Sequence, residues 1–197
     1  MLAAMKTARL EAFSDGVLAI VITIMVLELK VPHGSDFAAL KPMLPVLLSY
    51  VLSFIYVGIY WSNHHHLIHA AHHVNGAVLW ANLHLLFWLS LIPAVTAWVG
   101  EHPLAAWPTA LYGVVLLMAA VAWVILERAL IRLNGKESML ARALGTDWKS
   151  RLSPFLYLAG IALAFLSAWP AQVLYTVVAL LWIVPDRRIE GKVRGAE

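Results

Sequence analysis

Two stretches of this chain have residue types and spacings that could do chemistry. The first reads WSNHHHLIHAAHHV over positions 61–74 and holds six of the nine histidines. On a helix, His65, His69, His72 and His73 recur at i, i+4, i+7 and i+8, on one face. Imidazoles so placed suit zinc or copper, or paired haem ligation. They would equally make a turn that titrates near neutral pH. No acidic residue accompanies them, so no metal site is assigned; His69, His72 and His73 are the residues that would supply one. His84 stands alone in the next apolar run, where an interhelical hydrogen bond is its expected role. The second stretch, RLEAFSDGVLAIVITIMVLELKVP, runs from Arg9 to Pro32. It is apolar enough to enter a membrane, yet carries Arg9, Glu11, Ser14, Asp15 and Thr23. A carboxylate in hydrocarbon costs at least ~2.5 kcal/mol, so such residues face a bundle interior or a water path.

The elements that must position these residues are membrane spans. Of 197 residues, 62% are hydrophobic and 13% charged, against about half and a quarter in a soluble domain. Six runs approach the ~20 apolar residues that a spanning helix needs: Leu10–Val31, Pro42–Ser62, Gly76–Val99, Ala105–Leu130, Leu152–Trp169 and Ala171–Val184. The last two meet at Trp169-Pro170, read as a tight turn between antiparallel helices. The fold class is an all-α integral membrane protein with six transmembrane helices, residues 1–197 forming a single domain with a basic tail at 186–197. The first run reads as a span rather than a signal peptide, for it is long and no small-x-small cleavage site follows.

With six spans both termini share a side, and 12 of the 14 Lys and Arg fall there. They are Lys6 and Arg9 at the start, six between Arg128 and Arg151, and four between Arg187 and Arg194. That side is cytoplasmic. A net charge of +3 gathered in loops suits topology rather than nucleic-acid binding. The absence of cysteine excludes disulfides, Cys-zinc sites, iron–sulfur clusters and Cys nucleophiles. No Gly-x-Ser-x-Gly setting or phosphate-binding glycine loop occurs, so nothing supports catalysis.

At 100° per residue, Ile20, Ile24 and Leu27 share one face of the first helix, extended by Phe13 and Gly16 and bordered by Thr23. Asp15 lies on the other side with Leu18, Ile22 and Met25, toward its own subunit. Asp15 either caps the helix start with Ser14 or is a buried, hydrogen-bonded anchor that fixes the helix's rotation.

Arg9-x-x-x-Phe13-Ser14-Asp15 matches the RxxxFSD signature of the transmembrane-protein-175 family of potassium channels, and the likeness continues through Gly16, Ala19 and Ile20 to Leu27–Pro32. In length and span number the chain resembles the family's single-repeat bacterial members. That resemblance implies a potassium-permeable channel: a homotetramer in the bacterial inner (plasma) membrane, with both termini cytoplasmic and the first helices around a central pore. It implies a hydrophobic constriction at Ile20, Ile24 and Leu27, with Thr23 beside it, and no cofactor beyond permeant potassium. No TVGYG-type filter is present, in agreement. Arg9, Phe13, Ser14 and Asp15 become structural anchors. Trp61, Asn63 and His64 or His65 would lie near them and hydrogen-bond Ser14 or Asp15. The alternative from the histidines is a metal-binding membrane protein or metal transporter, followed by a haem redox protein.

Overall fold

The computed structural model describes residues 7–32, 34–71, 73–135, 138, 141 and 148–183. His72, Lys6, Lys136, Arg142 and the basic tail at 186–197 lie outside the described residues.

Each of the six apolar runs folds as helix. α1 is Thr7–Leu27. A 3-10 turn over Phe37–Met43, started by the Asp36 carboxylate accepting from the Ala39 N–H at 3.2 Å, leads into α2, Leu44–His69. The third run breaks into α3, Gly76–Ser90, and α4, Ile92–Glu101. Pro93 explains the break, because it has no N–H to give to the turn before it. The Asn75 side chain accepts from the Val78 N–H at 3.0 Å and starts α3. α5 is Ala106–Asn134, stopped by Gly135 at φ 95°, a left-handed position that only glycine takes without strain. α6 is Trp148–Ala164 and α7 is Ala168–Ile183.

Four of these segments are long and apolar enough to cross a membrane, with α3 and α4 counting as one. α6 and α7, at 17 and 16 residues, reach about 25 Å at 1.5 Å per residue, slightly short of a ~30 Å hydrocarbon layer. Two sequence expectations shift. α2 runs to His69 rather than Ser62, so His64, His65 and His66 are helical and not in a turn. The last turn falls at Phe165–Ser167, and Pro170 sits in the first turn of α7, where its missing N–H has no helical acceptor to lose.

α5 is the hub. It packs against α3, α4, α6 and α7, while α1 packs on α2, α3 and α4 at the opposite edge. In the 18-residue apolar window of each span, 56% is buried in α5 but only 28% in α1 and 17% in α2. Glycines set the closest approaches. A Cβ at Gly113 of α5 or Gly160 of α6 would overlap the Tyr175 ring of α7, and one at Gly100 would lie 2.9 Å from the Val46 backbone.

Polar side chains in the bundle are paired, as a medium without water demands. Ser53 of α2 lies 2.6 Å from Thr96 of α4 and 2.9 Å from the Tyr112 hydroxyl of α5. Tyr56 donates to the Tyr175 carbonyl. Gln172 donates to the Pro103 carbonyl and, at 3.3 Å, to Thr109.

Candidate functional site

α1 has two chemically distinct sides. Leu10, Ser14, Leu18, Val21 and Met25 are buried; steps of four, four, three and four keep them on one stripe of a 3.6-residue helix. Phe13, Ile20, Ile24 and Leu27 are exposed at 53%, 58%, 43% and 78%, and Gly16 and Thr23 are exposed with them. One copy of the chain therefore leaves a branched aliphatic stripe uncovered along the length of α1. The Thr23 hydroxyl donates to the Ile20 carbonyl at 2.9 Å, which holds it against its own helix.

The buried side is pinned near its basic end by a directed chain of hydrogen bonds. The Ser14 hydroxyl, fully buried, donates to the Leu10 carbonyl at 2.8 Å. Its proton is thereby committed, so Ser14 accepts from the Asn82 amide N–H of α3 at 2.9 Å. The Asn82 carbonyl then faces His64 Nε2 of α2 at 2.7 Å. An amide oxygen can only accept, so Nε2 carries the proton. His64 Nδ1 is buried without a hydrogen-bond partner. One small network thus joins three helices.

Two further links flank it. The Trp61 indole N–H donates to the Asp15 carboxylate at 3.1 Å, and His65 Nδ1 lies 2.8 Å from the Glu11 carboxylate. Arg9 is exposed on the first turns of α1 and joins none of these bonds. At the other end, Lys30 pairs with Glu101 at 2.7 Å, tying the exit of α1 to the end of α4. Glu101 raises the Lys30 pKa, first through that hydrogen bond and then through its charge.

Several expected residues sit elsewhere. Asn63 does not reach α1; it lines a crevice between α2, α5, α6 and α7, because it follows Trp61 by two residues and so points about 200° away on the helix. The histidine face does not continue past His69, since α2 ends there and His73 lies in the following loop. That loop is clamped by Asn134, which accepts from the His73 N–H at 3.1 Å and donates to the His73 carbonyl at 3.3 Å. His65 and His69 do stack, with centroids 5.9 Å apart. Among the described residues no three His, Asp or Glu side chains gather as a metal site. His84 accepts from Trp88 of its own helix at 3.0 Å, not from another helix. Asn82 was overlooked in the sequence; an Asn inside an apolar membrane run is the signal that marks it.

The family model described as the endosomal/lysosomal potassium channel TMEM175 matches residues 9–93, from the start of the α1 network into α4. A potassium channel of Chryseobacterium sp. (strain P1-3) is 54% identical over 190 residues, covering 96% of this chain and 99% of that one. A potassium channel of Chamaesiphon minutus is 31% identical, covering 83% and 87%. The crystal structure of a lysosomal potassium-selective channel TMEM175 homolog from Chamaesiphon minutus superposes with a TM-score of 0.78 at 29% identity, over 90% of this chain and 96% of that one. With identity sustained over nearly two whole chains and the same helical architecture, this multi-pass membrane protein belongs to the TMEM175 potassium-channel family.

Proposed function

We propose that the chain is a potassium channel, built as a homotetramer whose four α1 helices surround a central pore. Its whole length acts as one transmembrane domain, and as a member of a channel family it conducts rather than catalyses. The names of its relatives support potassium as the permeant ion. The observation that carries the reading is the two-sided α1. An apolar stripe that one copy leaves uncovered stands opposite a side locked to α2 and α3 through Ser14, Asn82 and His64.

In this reading Ile20, Ile24 and Leu27 form the constriction, and Thr23 borders it. A dry aliphatic ring gates by dewetting, because an ion must shed its water with little returned. Splaying the four helices wets the ring and lets ions pass. Ser14 and Asp15, with Trp61, His64 and His65, set the rotation of α1, and so decide which side chains face the axis, whereas Phe13 lies on the uncovered stripe and Arg9 is exposed beside the network. In the same reading the Arg9 end of the bundle and both termini lie in the cytoplasm of a bacterial cell, with the protein in its inner membrane; the positive charge of Arg9, Arg128, Arg132, Lys149 and Arg151, among the described residues, supports that orientation.

The test is potassium flux into liposomes for the wild type beside Ile20→Asn, with native mass spectrometry of the same samples. Flux that rises or loses potassium-over-sodium preference in the variant, from a tetramer, supports the reading. Unchanged flux and preference in an assembled variant would remove Ile20 from the ion path.

A further inference from the structure

Along the chain no acidic residue accompanies the histidines, but the fold brings one to them. Trp61 of α2 meets Asp15 of α1, and His65, four residues on, meets Glu11, four residues back. Four residues are close to one helical turn, so the helices run antiparallel here and these contacts are successive rungs between them. His69 stands one more turn along the same face of α2, exposed like His65. The two imidazole rings lie nearly parallel, with centroids 5.9 Å apart and planes 18° apart. The His69 side chain makes no hydrogen bond or ion pair among the described residues.

The Glu11 carboxylate decides which nitrogen of His65 is available. It lies 2.8 Å from Nδ1, and an ionised carboxylate only accepts, so Nδ1 carries a proton. In a neutral imidazole the lone pair is then on Nε2. A carboxylate behind one ring nitrogen and a lone pair on the other is how metal-ligating histidines are held, and the carboxylate makes the imidazole a stronger donor. His69 supplies the second donor, since side chains at i and i+4 are neighbours on a helix. Two imidazoles sharing one ion, at ~2.0–2.1 Å from each nitrogen, hold their centroids about 5 Å apart. The pair must therefore close by about 1 Å, which small χ rotations of two exposed side chains supply. Imidazole suits copper, nickel and zinc, whereas magnesium and calcium take oxygen ligands. His66 is no part of the pair, for it points about 100° away from His65 around the helix.

We propose that His65 and His69 form a surface site for one divalent transition-metal ion of the copper, nickel or zinc kind, with water in its remaining positions. Glu11 is a positioning residue: it orients His65 from α1 and does not touch the ion. An ion bound there fixes the His65–Glu11 link and so adds to the attachment of α1 to α2. The site needs only this pairing of two helices, so its test does not depend on the pore.

The test uses the full chain, purified in detergent without a polyhistidine tag, with copper(II) and zinc(II) as probes titrated calorimetrically in the presence of magnesium. Copper should bind more tightly than zinc. His65→Gln combined with His69→Gln should bind one ion fewer per chain, whereas His102→Gln, in the turn after α4, should bind as the wild type does. Pulsed electron paramagnetic resonance of the copper-loaded protein should show two imidazole nitrogens on the ion, and fewer in either single variant. Glu11→Ala keeps both donors and should weaken binding about 10–100-fold at unchanged stoichiometry. Glu11→Gln, whose amide oxygen still accepts from Nδ1–H, should recover part of that loss. No bound ion in the wild type, full binding in the double histidine variant, or unchanged affinity in Glu11→Ala would overturn the assignment.

Discussion

Asn82→Ala removes the middle of the Ser14–Asn82–His64 chain, and its cost follows from the geometry. Asn82 is fully buried and bridges α1 to α2. Two interhelical hydrogen bonds disappear, worth about 0.6 kcal/mol each inside a membrane bundle. Ser14 keeps its bond to the Leu10 carbonyl, so it contributes little more. His64 fares worse. Its Nε2–H loses its acceptor while Nδ1 already has no partner, leaving a buried imidazole wholly unsatisfied at about 1–3 kcal/mol. The sum is about 2–4 kcal/mol. At about 2–4 °C per kcal/mol for a chain of this size, thermal unfolding in detergent should shift down by about 4–16 °C. Ser14→Ala combined with Asn82→Ala should fall short of the summed single effects by about 0.6 kcal/mol, the shared bond being lost only once. A shift below about 2 °C for Asn82→Ala, half the smallest change expected, or strict additivity of the pair, would show that this network does not hold α1.

Four further outcomes follow from the same structure. Asn63→Ala should leave the α1 attachment intact, so trypsin cleavage at Arg9 should proceed at the wild-type rate, whereas Asn82→Ala should speed it. Gly160→Ala should destabilise the α6–α7 pair by about 1–3 kcal/mol, because the added methyl meets the Tyr175 ring in a well-packed core; a neutral variant would mean the ring can move aside. Asn134→Ala should speed amide exchange at His73 by about fivefold, the equivalent of one hydrogen bond of ~1 kcal/mol, measured by mass spectrometry. Lys30 has a pKa raised by Glu101. Its contribution is therefore complete below the unfolded lysine pKa and is lost only as pH rises through the folded one. Stability of wild type and Lys30→Gln should run parallel from pH 6 to pH 9, well below the ordinary lysine value of ~10.4, and a divergence there would contradict the pairing.

How much was legible in the sequence differs from element to element. The spans were, because each apolar run must satisfy its own backbone as helix once in hydrocarbon. The division of α1 was legible too: its residues sit at helical spacing, so the exposed Phe13, Ile20, Ile24 and Leu27 and the buried Leu18 and Met25 fall where periodicity puts them. The RxxxFSD match pointed to the family before any geometry. The break at Leu91 was signalled by Pro93 but hidden by the continuous apolarity around it. The extension of α2 to His69 was hidden by polarity, which looks like a loop to hydropathy yet carries no helix-breaking residue.

Composition and periodicity along the chain thus determined a helical membrane protein and the first helix's two faces, and the resemblance carried by RxxxFSD pointed to the family. Only the tertiary structure decided which polar groups meet. Ser14 finds Asn82, 68 positions away, and Trp61 finds Asp15, 46 positions away, while Asn63 turns to an aromatic crevice instead. Periodicity fixes the direction of a side chain about its own helix axis. It carries no information on which neighbouring helix lies in that direction, at what depth, or which of several polar groups there has a free donor or acceptor. Those depend on packing, where Gly113 and Gly160 make room for the Tyr175 ring and Gly100 lets α4 approach the Val46 backbone, and where buried hydrogen-bond demand selects among the partners in reach.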